Sequence, residues 1–64
     1  MRKFYEDSLS IAWINDKTDE RISATRVNSG KYWHVDYCKK PGAGVKKLGT
    51  RCTWEQVLDF VNQH

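Results

Sequence analysis

His34, Asp36 and Cys38 fall two residues apart in the segment KYWHVDYCKK, and their types could serve as base, orienting group and nucleophile. His34, Cys38, Cys52 and His64 are also the side-chain types that bind zinc. If the segment is a strand, spacing argues against both. Same-face neighbours on a strand lie about 6.6 Å apart, beyond the hydrogen-bond reach by which a base activates a nucleophile. Residues four apart are separated by about 13 Å, too far to share one tetrahedral ion, and no Cys-x-x-Cys occurs. The Gly42–Ala43–Gly44 stretch is too short, and lacks the strand-to-helix setting, for a loop that cradles phosphate. These residues therefore read as a chain with no enzymatic site, no metal and no cofactor.

A second chemistry is electrostatic. Lys39, Lys40, Lys46, Lys47 and Arg51 gather around Pro41–Gly44, while most acids sit near the N-terminus and the first turn. Such lysines suit a solvated hairpin tip and protect an edge strand from aggregation. They equally suit a wing that contacts phosphates. The formal charge of +3 and pI of about 9.0 favour an anionic partner only mildly.

These residues must be positioned by a small fold. Sixty-four residues make one domain, 1–64, with a thin core that three Trp, three Tyr and two Phe must supply. The order of residues 1–7 is left open. SLSIAWIN alternates, with Leu9, Ile11 and Trp13 on one side and Ser8, Ser10 and Ala12 on the other, as a half-buried strand does. RISATRV is a second strand, and Asn28–Lys31 a turn in which Gly30 can take a positive φ. YWHVDYCKK is a third, rich in aromatic and β-branched residues, and VKKLGT a short fourth after the Pro41–Gly44 loop.

Register follows from keeping apolar residues on one face. Four-residue loops place Trp13 opposite Ile22, Ile11 opposite Ala24, Ala24 opposite Val35, Ile22 opposite Tyr37, and Tyr37 opposite Leu48. A helix then begins at Thr53, with Gln56 completing a capping box and Trp54, Val57, Leu58 and Val61 forming one apolar stripe. The fold class is α+β: an antiparallel three- to four-stranded meander packed on one C-terminal helix. Its opposite face carries Ala12, Ile14, Arg21, Ser23, Thr25, Val27, Tyr32, His34, Asp36, Cys38, Val45 and Lys47. Trp13, Trp33 and Trp54 point to the core. Tyr32 does not, and could stack on a base or anchor a protein.

Residues 30–61 contain, in order, a Gly-Lys-aromatic strand start, a Pro/Gly hairpin, Leu48–Gly49–Thr50 closing the next strand, and a Thr-capped helix with an acidic first turn. This half of the chain resembles the three-stranded-sheet-plus-helix DNA-binding domains of ethylene-response-type transcription factors and phage integrase arm-binding domains. The resemblance implies a helix behind the sheet and an open face that enters the major groove. The matching positions are His34, Asp36, Cys38, Val45 and Lys47, where that family uses largely Arg and Trp.

The expectation is a small non-catalytic DNA-binding or regulatory protein of phage or mobile-element type. Its nucleic-acid-binding residues would be Arg21, Tyr32, His34, Lys39, Lys40, Lys46, Lys47 and Arg51, and its partner duplex DNA. The alternative is a modulator that docks on a larger host protein through the exposed face or an edge strand. No apolar run approaches the roughly 18 residues of a membrane span, and the N-terminus lacks a signal-peptide apolar region. A cytoplasmic protein with reduced Cys38 and Cys52 is expected.

Overall fold

The computed structural model describes residues 1–64, apart from the side chain at position 28. Five strands follow in chain order: β1 (Arg2–Glu6), β2 (Ser10–Ile14), β3 (Arg21–Val27), β4 (Tyr32–Cys38) and β5 (Lys46–Cys52). Each pairs antiparallel with the next, so the sheet is a meander in the order β1-β2-β3-β4-β5. Helix α1 (Trp54–Gln63) packs across β3, β4 and β5 on one face.

The expected register holds through the middle of the sheet. Trp13 faces Ile22, Ile11 faces Ala24, Ala24 faces Val35 and Ile22 faces Tyr37. This alternation brings Ile11, Trp13, Ile22, Ala24, Trp33 and Val35 onto the helix side, where Cys52, Val57 and Val61 complete the buried core. Ile22, Val35 and Val57 are fully enclosed. Burying side chains of this size stabilises a fold by roughly 1.5–3 kcal/mol each, so these three weigh heavily in a small domain.

Four expectations are corrected. Residues 2–6 form a strand, making the sheet five-stranded. All five are exposed, so no inward alternation announces them. What holds them is a tight turn: the Asp7 carboxylate accepts from the amides of Leu9 and Ser10, each at 2.8 Å, and Asp7 N–H donates to the Ser10 carbonyl. Leu9 therefore lies in a turn and is 64% exposed instead of facing the core. Tyr37 faces Lys46, not Leu48. The expected register survives at Trp33–Cys52, but two irregularities on either side of Val35 shift the pairing by two residues. Finally, the helix stripe is narrower than expected. Val57 and Val61 are buried and Phe60 packs beside them, while Leu58 and Trp54 stay partly exposed.

Trp54 nonetheless joins the core rim, its ring 6.1 Å from Trp13 and 5.2 Å from Trp33. The Arg26 guanidinium joins this group, 4.7 Å from the Trp33 ring centroid. The turn after β3 places Ser29 and Gly30 at positive φ, 59° and 86°. Gly30 does so without the Cβ strain that Ser29 carries.

The helix starts as its sequence indicates. Thr53 Oγ1 accepts from the Gln56 amide at 3.2 Å, and Gln56 Oε1 accepts from the Thr53 amide at 2.9 Å. Thr53→Ala is expected to lower unfolding free energy by about 1 kcal/mol, whereas Thr53→Gly costs only a few tenths. Urea titration followed by Trp fluorescence separates the two; equal losses would remove the cap from the account.

Candidate functional site

The face away from α1 includes β1 in addition to the four strands expected to form it. Tyr5 stands opposite Ala12, and the pairing of β1 with β2 shifts at Phe4. That shift turns Phe4 toward the same face as Tyr5. Phe4, Ala12, Arg21, Asp36, Cys38 and Val45 line a shallow concavity of about 250 Å³ there. Phe4, Tyr5 and Val45 are exposed at 46%, 49% and 69%, which makes this side more apolar than the hydroxyl-rich sequence indicated.

Arg21 is the face's most constrained cation. Its guanidinium lies 5.9 Å from the Phe4 ring and bonds Asp19 at 3.3 Å. Its Nε is buried and has no hydrogen-bond partner among the described residues. Of the basic residues expected to contact nucleic acid, this one is already engaged within the fold.

His34 and Asp36 meet. His34 Nε2 lies 3.0 Å from Asp36 Oδ1, so the expectation that same-face neighbours stay out of reach is corrected. The 6.6 Å spacing describes the backbone; two side chains leaning along the strand close the gap. Thr25 faces His34 and Ser23 faces Asp36 across the β3–β4 ladder. Cys38 is turned away, its Sγ donating to the Lys40 carbonyl at 3.0 Å.

The four residue positions weighed for zinc are dispersed. His34 and Cys38 lie on the exposed face and Cys52 in the core, where burial pushes its thiol pKa up. His64 stacks on Tyr37 with ring centroids 4.8 Å apart. Among the described residues no three His, Cys, Asp or Glu side chains gather as a metal site.

The remaining candidate residues split into two groups. Lys39, Lys40, Lys46 and Lys47 surround the β4–β5 loop and are exposed. Tyr32 lies at the opposite end of β4, about 20 Å away at strand rise, with Arg51 near it on β5. His34 sits between. Lys47 faces Asp36 across the ladder, but Asp36 is already bonded to His34. Among the described residues the ion pairs of Arg2, Lys3 and Arg21 use Asp16, Glu6 and Asp19, and none involves Lys39, Lys40, Lys46, Lys47 or Arg51. The loop's Gly42 and Gly44, at φ 83° and 86°, let the chain turn at the hairpin tip. Sequence clustering indicated this basic group. It did not indicate that Phe4 of β1 would reach Arg21 on the neighbouring face.

A second cluster ties the helix end to the sheet. Tyr37 donates to Glu20 Oε2 at 2.5 Å, His64 approaches the same oxygen at 3.7 Å, and Thr18 donates to Glu20 Oε1. The Tyr37 hydroxyl, with Thr18 and His64 behind it, holds the Glu20 carboxyl below its ordinary value of 4.5. A carboxyl lowered by folding adds stability that is present above its unfolded value and lost as pH falls through the folded one. Denaturation midpoints are therefore expected to drop below pH about 4.5, with a shallower drop in Tyr37→Phe. An unchanged acid limb in that variant would disprove the role of this contact.

Comparison with known protein families, with curated proteins and with solved structures finds no match to this chain. No helix among the described residues is long and apolar enough to cross a membrane.

Proposed function

We propose that this chain is a non-catalytic DNA-binding protein of regulatory type that contacts duplex phosphates through the β4–β5 hairpin and the β5 edge. One observation carries the reading: among the described residues, five cations occupy that hairpin and strand without an ion-pair partner, while Arg2 and Lys3 of β1 and Arg21 of β3 are paired. Unpaired surface cations displace counterions from phosphate, which gives affinity without sequence preference. Lys47 and Arg51 stand four residues apart on one edge strand, about 13 Å, comparable to the roughly 12 Å width of a major groove. Tyr32, at the far end of β4 from the hairpin, and His34, between the two ends, are the positions suited to base contact. The resemblance of residues 30–61 to sheet-plus-helix DNA readers, including those of phage integrases, agrees with this placement, as does a cytoplasmic setting. Titration of a labelled duplex at low and moderate salt tests it. Absence of binding at low salt rejects it.

The second reading is a modulator that docks on a larger protein. It is favoured by the Phe4–Arg21–Val45 concavity and by the exposed Tyr5, which are features of a protein-binding surface more than of a phosphate track. That mode predicts binding insensitive to salt and weakened by Phe4→Ala or Val45→Ala.

A further inference from the structure

We propose that β1 is a self-association edge, pairing antiparallel with β1 of a second copy about a twofold axis between Phe4 and Tyr5. Among the described residues the outer edge of β1 has no strand beside it, and α1 lies over β3, β4 and β5. All five residues are exposed, and two are aromatic. An edge of this kind is a template for another chain.

The side-chain faces select one register. Lys3 stands opposite Trp13 and Glu6 opposite Ile11, so both lie on the helix side of the sheet. Phe4 and Tyr5 both lie on the exposed face, because the ladder shifts between Lys3 and Tyr5. The face pattern from residue 3 to residue 6 is thus helix side, exposed, exposed, helix side. It is symmetric about the midpoint of Phe4 and Tyr5. Pairing two copies there puts Lys3 opposite Glu6 of the second copy and Phe4 opposite Tyr5, each on a matching face. Arg2 then falls opposite Asp7. Moving the register by one residue in either direction sets side chains from opposite faces against each other.

Bulges normally discourage edge pairing by twisting the strand away. Here the irregularity has the reverse consequence, since it supplies the two adjacent same-face aromatics on which the symmetric register depends. Charge separates this edge from the other one. Two copies of β5 would oppose Lys46, Lys47 and Arg51 with no acid among them, and β1 against β5 offers five cations a single acid, Glu6. β1 with β1 sets Lys3 against Glu6 on both sides of the axis, a balance that β5, with no acid of its own, cannot offer. An axis normal to the sheet keeps both exposed faces on one side of a continuous ten-stranded sheet, with the two basic hairpins at its far ends. This inference does not depend on DNA binding.

Sedimentation of the chain across a concentration series tests the pairing. The expected result is reversible growth from 7.5 kDa toward twice that mass. On dilution of the same samples, the amide resonances of Arg2–Glu6 shift while those of Lys46–Cys52 do not. Lys3→Glu and Glu6→Lys each place like charges opposite one another and weaken the dimer by roughly tenfold. An equal mixture of the two variants restores it, because each then meets its complement. The Lys3–Glu6 pair within one copy cannot produce that restoration. A mass of 7.5 kDa at every concentration up to about 1 mM overturns the proposal, as does a mixture that associates no better than its components.

Discussion

Gly49→Ala is expected to destabilise the chain by about 2 kcal/mol, a large part of the stability available to a domain of this length. Gly49 lies in β5 opposite Val35, between the two irregularities of the β4–β5 ladder. A Cβ built there would stand 2.4 Å from the Sγ of Cys52. Cys52 faces Trp33 and is buried in the core, so its sulfur has little room to give way. Backbone strain is not the cause; the space is already filled. Removing the sulfur should therefore relieve the clash. In a double-mutant cycle, Cys52→Ala is expected to cost clearly less in the Gly49→Ala background than in the wild-type chain, a coupling of about 1 kcal/mol or more. Urea denaturation monitored by Trp fluorescence measures all four corners. Strict additivity, or a Gly49→Ala loss below about 0.5 kcal/mol, would show that β5 shifts freely to accommodate the methyl group.

Removing the hairpin charge should have the largest effect on binding. Five phosphate contacts give a salt slope near −4.5, so raising salt from about 50 to 200 mM lowers duplex affinity about five hundredfold. Replacing Lys39, Lys40, Lys46 and Lys47 with Ala leaves Arg51 as the last of the five, and the slope falls to about −1. Affinity at the lower salt is expected to drop at least about a hundredfold, equally for all sequences. Arg21→Ala provides the contrast. Its guanidinium is engaged by Asp19 and Phe4, so its removal should barely change the slope. A four-lysine variant that binds as the parent does would move the contact surface away from this hairpin. A large Arg21 effect with a small lysine effect would transfer it to the sheet face.

Legibility in the sequence followed burial. Strands β2, β3 and β4 alternate because one side of each must leave water, and that pattern also defines the register of Ile11, Trp13, Ile22, Ala24 and Val35. The helix start was equally readable, since Thr53 and Gln56 satisfy amides within their own turn. β1 was not, because a strand exposed on every residue has no period to read. Its nearest signal was Asp7, whose carboxylate closes the turn that folds β1 back on β2. The basic cluster was visible as composition, but whether its members were paired was not.

By itself the sequence determined the local and periodic features: the meander, the face turned to the helix, the cap, and the concentration of lysines around one loop. These depend on residues near each other in the chain or on a two-residue alternation. Tertiary structure alone decided the rest. It shifted β5 by two residues where Cys52 packs against Gly49. It laid Phe4 over Arg21 and closed His34 onto Asp36. Those outcomes depend on side-chain volume and direction between strands, which no alternation pattern encodes.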